Sequence, residues 1–222
     1  TYDTMYRGPI LTRTNCAGPL RVEKAGDKTH VSAHAPQKGE YFVVDAKEKN
    51  HHVRVKDMPE EVSVGGPWIL TLGSQAAVTL NKLQSWTDLP EGKSFSGWGR
   101  YEATFEAGEP GNDVGWMIDL GVVHETAEVL LNGVGLGAAW KGLRRLHCGS
   151  ALKPGTNRLE VRVGNLWIQK VESLPKPDLK PVAETFGIRW GLYGESAPPP
   201  LPPAGLLGPV RLIPLKRVTF AI

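Results

Sequence analysis

Seven tryptophans, Trp68, Trp86, Trp98, Trp116, Trp140, Trp167 and Trp190, are spread along a chain of 222 residues. An exposed indole is a flat surface on which the apolar side of a pyranose ring stacks. Carboxylates, amides and arginine beside it then fix the hydroxyls. Most tryptophans of a folded chain serve core or inter-domain packing instead. Trp116 is in strand phase with Ile118 and Leu120 and is expected inside. Trp98, between Gly97 and Gly99, is less constrained. Trp140 follows a glycine-rich stretch, and Trp190 lies in the run IRWGLY before a proline-rich loop. Trp98, Trp140, Trp190 and Tyr193 are therefore the candidate platforms. Their polar neighbours in sequence are His124, Glu125, Asn165 and Arg189, together with Arg144, Arg145 and Glu195. His124-Glu125 falls between two predicted strands, where functional loops concentrate, although a His beside a Glu is more often a surface pair. Arg144-Arg145 has the charge to grip an acidic sugar and reads more simply as a solvated pair.

A second chemistry would need two carboxyl groups. Glycoside hydrolysis works with a pair ~5 to 9.5 Å apart. With 23 acidic residues, some pair meets that separation by chance. Glu102, Asp119 and Glu125 are the catalytic candidates, with Glu128 and Glu195 behind them. Glu102 and Asp119 fall on neighbouring predicted strands and are expected to face one cleft. Other active-site patterns are missing. There is no Gly-x-Ser-x-Gly elbow. His51-His52 lacks the spacing that brings two histidines to one metal. The run from Gly133 to Gly137 follows an Asn-Gly turn and precedes no helix, so it is not a phosphate cradle. Cys16 and Cys148 make no metal spacing, and two buried thiols are favoured over one disulfide. The net charge is +3 with no block of five Lys/Arg, which excludes a nucleic-acid or membrane footprint. No apolar run approaches the ~20 residues of a membrane-spanning helix.

These residues must be held by strands, because helical periodicity is nearly absent. Gly39 to Asp45 and His52 to Lys56 read as a hairpin, and Trp68 to Leu72 as a strand after the break Gly65-Gly66-Pro67. Gly99 to Glu106 alternates Tyr101, Ala103 and Phe105 with Arg100, Glu102 and Thr104, the pattern of a half-buried strand. Gly115 to Leu120, Thr126 to Leu131, Val134 to Leu136 and Arg158 to Val163 continue the series. Asn132-Gly133 predicts a type I′ hairpin turn, since both residues tolerate positive φ. Val210 to Ile213 and Arg217 to Ala221 read as two closing strands. Proline-rich segments at Leu174 to Pro181 and Ala197 to Pro203 are surface loops. The fold class is all-β, a jelly-roll β-sandwich over residues 65–222 with a small β-hairpin unit over residues 1–64.

A family resemblance rests on ordered motifs. They are Ser85-Trp86-Thr87, Phe95-Ser96-Gly97, Gly99-Arg100-Tyr101, Asp119-Leu120-Gly121, Leu131-Asn132-Gly133, Lys153-Pro154-Gly155, Asn165-Leu166-Trp167 and the ending Gly205 to Leu212. Together they resemble the C-terminal region of bacterial α-L-rhamnosidases of glycoside hydrolase family 106. The central pattern is also similar to the galactose-binding-like sandwich of β-galactosidase-like and β-glucuronidase-like enzymes. The resemblance implies a carbohydrate-binding or accessory domain of a rhamnosidase-like glycosidase. Its partners would be an oligo- or polysaccharide and a catalytic (β/α)8 domain, and its setting secreted or periplasmic. The catalytic carboxylates of such enzymes sit on that barrel, for which this chain has no room. No cofactor is expected. Sandwiches of this type often hold a structural calcium, which the Asp/Asn spacing does not show. The alternatives are a small free-standing glycosidase using a carboxylate pair, and a protein-binding module whose exposed tryptophans mark an interface.

Overall fold

Period-two alternation governs where side chains go. The structure, a computed structural model, describes residues 11–25, 28–109, 111, 113–140, 142, 144–175 and 200–222. In β9 (Trp98–Ala107) Tyr101, Ala103 and Phe105 are buried and the alternate residues face outward. β15 (Gly155–Gly164) buries Leu159, Val161 and Val163, and β12 (Thr126–Leu131) buries Ala127, Val129 and Leu131. With β7 (Trp68–Leu72), β8 (Val78–Leu80) and β13 (Val134–Trp140) they form an antiparallel front sheet in the order β13-β12-β15-β9-β7-β8. The β12–β13 turn has φ 52° at Asn132 and 81° at Gly133, the left-handed pair that a type I′ turn demands.

The back sheet contains β14 (Arg145–His147), β10 (Val114–Asp119), β17 (Arg211–Ala221), β3 (Lys28–Ala35) and β2 (Ala17–Ala25), in that order. β6 (Val62–Ser63) also pairs with β17. The main apolar cluster, with Trp68, Leu70, Tyr101, Ile118, Leu159 and Leu212 at its centre, fills the space between the two sheets. A smaller sheet, β1 (Leu11–Thr14), β4 (Gly39–Asp45) and β5 (Asn50–Val55), closes a second cluster containing Val31, Val43, Val55, Val218 and Phe220. β11 (Val122–His124) pairs with β16 (Gly205–Gly208) in a short two-stranded sheet. A single turn of helix, α1 (Ile168–Ser173), follows β15.

Two expectations about the strands change. The closing strands are one continuous strand, β17, whose first half pairs with β10 and whose second half pairs with β3. Pro214 lies within this continuous strand and is tolerated there. Arg217 N–H points to the β10 side, so by alternation the Pro214 nitrogen points to the other edge. There β6 covers residues 211 and 212, and β3 begins only at Lys216. A missing N–H costs no ladder bond in that gap. The β2–β3 hairpin went unread, because its inward residues Ala33 and Ala35 are too small to mark a strand.

Three motif groups are structural clamps. Ser85 accepts the Ala204 N–H at 3.0 Å, and Trp86 N–H donates to the Ala204 carbonyl. Trp86 Nε1 donates to Tyr101 Oη at 2.6 Å, and Leu206 N–H donates to the same oxygen at 3.0 Å. Gly205, at φ +93°, lies so close to this knot that a Cβ would sit 2.5 Å from Trp86 Nε1. The two cysteines are unpaired thiols, Cys148 buried and Cys16 only partly buried. Burial pushes the Cys148 thiol up to about 12, against a lowering hydrogen bond from the Ile118 backbone.

Candidate functional site

The front sheet's register collects residues that are far apart in sequence. Trp140 pairs with Thr126, Thr126 with Gly164, and Gly164 with Trp98. Directly opposed residues share a face. Their chain neighbours Ala139, Ala127, Val163 and Gly99 are all buried, so this row lies on the outer face. Trp98 is 52% exposed and Trp140 is 69% exposed. Three strand spacings place their backbones about 14 Å apart. Gly164 between them is buried against the Trp98 ring. A Cβ there would lie 3.4 Å from the Trp98 ring and 3.3 Å from the Thr126 methyl.

The next row on the same face is charged. Arg100 is opposite Arg162, Arg162 opposite Glu128, and Thr71 opposite Arg100. Trp98, Thr71, Arg100, Arg162 and Glu128 line a shallow groove of about 680 Å³. Arg100 lies 3.6 Å from Glu102, which also binds Arg158, and Arg162 donates to Glu160 at 2.7 Å. Glu128 has no ion-pair partner among the described residues. The face thus offers one indole, two guanidiniums with directional donors and one free carboxylate. Such a set can stack a ring and hydrogen-bond vicinal hydroxyls.

The loop carrying Trp98 is fixed from beneath. Asn165 Oδ1 accepts the Gly97 N–H at 2.9 Å, and its Nδ2 donates to the Phe95 carbonyl at 2.9 Å and to Gln169 Oε1 at 3.3 Å. Buried Gln169 donates in turn to the Pro202 carbonyl. Asn165 therefore sits beside the aromatic row with its side chain committed to protein partners. His124 and Glu125 lie at the same end of the sheet. Glu125 N–H donates to the Gly164 carbonyl, and His124 Nδ1 is 4.0 Å from Glu125 Oε1. Both side chains are partly or well exposed. Arg189, Trp190, Tyr193 and Glu195 lie outside the described residues.

The expected cleft between Glu102 and Asp119 is not there. β9 and β10 are consecutive in the chain but belong to opposite sheets, so the two carboxylates lie on different layers. Asp119 is buried in a structural ion cluster. Arg145 Nε donates to it at 2.9 Å, Arg211 lies at 3.7 Å, and the Gly121 N–H caps its other oxygen. Arg145 is thus paired with Asp119 while its side chain stays solvated, as expected of it. Among the described residues, no group of three or more His, Cys, Asp or Glu is placed to hold a metal ion.

The reading from sequence missed Trp167, which is 75% exposed, and the row of Thr126, Gly164, Arg100, Arg162 and Glu128. Alternation does place Arg100, Glu128 and Arg162 on outward phases. Nothing local says that three strands bring them side by side.

No family model matches the chain. It is 38% identical over 133 residues to a protein of Formosa agariphila named "Putative beta-glucuronidase", a match covering 54% of this chain and 11% of that protein. In structure it is similar to a rhamnosidase from Novosphingobium sp. PP1Y, with a TM-score of 0.57, 23% identity, 93% of this chain covered and 25% of that one. A beta-glucuronidase from an uncultured Clostridium aligns at a TM-score of 0.49, with 17% identity over 71% of this chain and 29% of that one. The chain therefore spans about a tenth of the curated relative and a quarter of the rhamnosidase. Its all-β sandwich is a glycoside-hydrolase-related domain fold.

Proposed function

We propose that the chain is a carbohydrate-binding accessory sandwich that works beside a rhamnosidase-like catalytic domain and docks an oligo- or polysaccharide across its front sheet. The observation that carries this reading is the in-register row Trp140–Thr126–Gly164–Trp98 above the Arg100–Arg162–Glu128 band. There an exposed indole stands beside two guanidiniums and the unpaired Glu128 carboxylate. The small fraction of the glycosidase relatives that the chain matches supports a partner catalytic domain. For the alternative of a free-standing hydrolase, Glu102 and Asp119 do not form the working pair, since they lie on different sheets.

The test is calorimetric and fluorescence titration with rhamnose-, galactose- and glucan-type oligosaccharides. About half of the Trp98 ring is free to stack. At ~25 cal/mol per Å2 over roughly 100 Å2, that is about 2.5 kcal/mol, or nearly a hundredfold in Kd. Trp98→Ala is expected to weaken binding by about that factor with little change in melting. A folded wild-type chain that binds none of the three classes refutes the docking role. Binding that survives both Trp98→Ala and Trp140→Ala moves the site elsewhere.

A further inference from the structure

The back sheet carries a second groove on the face turned away from the apolar clusters. Ala33, Ala35 and Val218 point inward, so Ser32, His34 and Arg217 lie on the other side. Arg217 of β17 is opposite His34 of β3, and its Nη2 donates to Ser32 Oγ at 3.2 Å. With Arg21 of β2 these residues line a groove of about 660 Å³. From β14, the His147 ring centroid lies 6.1 Å from that of His34.

The carboxylates facing this groove are Glu23 and Asp113, the latter next in register to Arg217, whose N–H donates to the Asp113 carbonyl at 2.7 Å, but without a side-chain ion pair to it. Arg21 has Glu23 at 3.8 Å. Among the described residues, no carboxylate lies within ion-pair distance of Arg217, His34 or His147. His34 Nδ1 is buried with no hydrogen-bond partner among the described residues. Burial first, then His147 and Arg217, holds the His34 imidazole below its usual range.

We infer that this groove binds an oxyanion, a carboxylate or sulfate group, between Arg217 and the His34–His147 pair. The Arg217 guanidinium and the His34 imidazole, whose charged form an anion favours, make a charge-assisted donor set. The anion favours protonated His34, so affinity rises as pH falls through the titration range of that ring. The site is independent of the front-sheet docking face, which lies on the other layer.

The experiment follows the His34 and His147 ring protons by NMR, with parallel calorimetry, at fixed ionic strength. The ligands are sodium sulfate, sodium glucuronate, a uronate-containing oligosaccharide and glucose. Both simple anions are expected to raise the His34 titration midpoint, and glucose to leave it unmoved. Arg217→Gln should weaken the anions about tenfold or more, the loss of one charge-assisted contact, while the circular dichroism and melting stay as in wild type. Arg217→Lys should keep part of the affinity. Tighter binding of the oligosaccharide than of free glucuronate assigns the anion to an acidic saccharide, and equal binding assigns it to the free ion. The inference is overturned if neither sulfate nor glucuronate moves the His34 midpoint, or if Arg217→Gln leaves the shift intact.

Discussion

Replacing Tyr101 by phenylalanine removes one oxygen from the centre of the sandwich. That oxygen accepts from Trp86 Nε1 at 2.6 Å and from the Leu206 N–H at 3.0 Å, and both tyrosine and tryptophan are fully buried. The variant keeps the ring and its packing but orphans two donors out of reach of solvent. Each orphan costs ~1–3 kcal/mol, so the total loss is about 2–6 kcal/mol. For a chain of this length that corresponds to a fall in Tm of roughly 5–15 °C. Urea unfolding at neutral pH measures the loss directly. The double variant Tyr101→Phe/Trp86→Phe should lose less than the sum of the singles, because the second change removes one of the orphans. The same hydroxyl has a signature at alkaline pH. Burial raises the phenol from near 10 to about 12, against the lowering hydrogen bonds from Leu206 and Trp86. The folded state therefore holds its proton where the unfolded chain releases it. Its contribution is complete below pH 10 and is lost as pH rises toward 12, up to about 2.7 kcal/mol in all. Tyr101→Phe should remove that part of the alkaline slope and leave the part due to Cys148, which is also raised to about 12. A loss below about 1 kcal/mol together with an unchanged alkaline limb would refute the reasoning.

Gly205→Ala should be among the most damaging substitutions, because its Cβ would meet Trp86 Nε1 at 2.5 Å and Tyr101 Oη at 2.6 Å with φ at +93°. The expected loss is about 3 kcal/mol or more, read by urea unfolding. Asn157 is fully buried, accepts from Asn132 Nδ2 and the Lys153 N–H, and donates to the Lys153 and Gly155 carbonyls. Asn157→Ala should cost about 2–4 kcal/mol and loosen the turn into β15, visible as faster amide exchange there. Thiol labelling at pH 8 should modify Cys16 in the native protein and Cys148 only with global unfolding, since Cys148 is buried and its thiol is held protonated. Two equally fast thiols would show that the core around Cys148 opens locally.

Much of the fold is legible in the chain because its signals are local. Alternation in Gly99 to Glu106 marks β9, and Asn132-Gly133 marks the β12–β13 hairpin, since both are set by neighbours in sequence. Trp98 and Trp140 could be singled out for the same reason, by glycine neighbours and strand phase. Trp116, in strand phase with Ile118 and Leu120, is buried as its phase predicts. The β2–β3 hairpin escaped because alternating alanines carry too little hydrophobic contrast, and β17 because a proline reads as a break until the gap in the neighbouring ladder is known. The candidate site shows the limit most clearly. Which strand lies beside which is decided by long-range pairing and by the burial of two apolar faces against each other. That choice separates Glu102 from Asp119, although their strands are consecutive, and sets Trp98 beside Gly164 and Trp140 three strands away. The chain alone determines that these residues point outward from strands. Only the tertiary structure decides which of them meet, because a half-buried strand's own pattern carries its phase but not the identity of its partner.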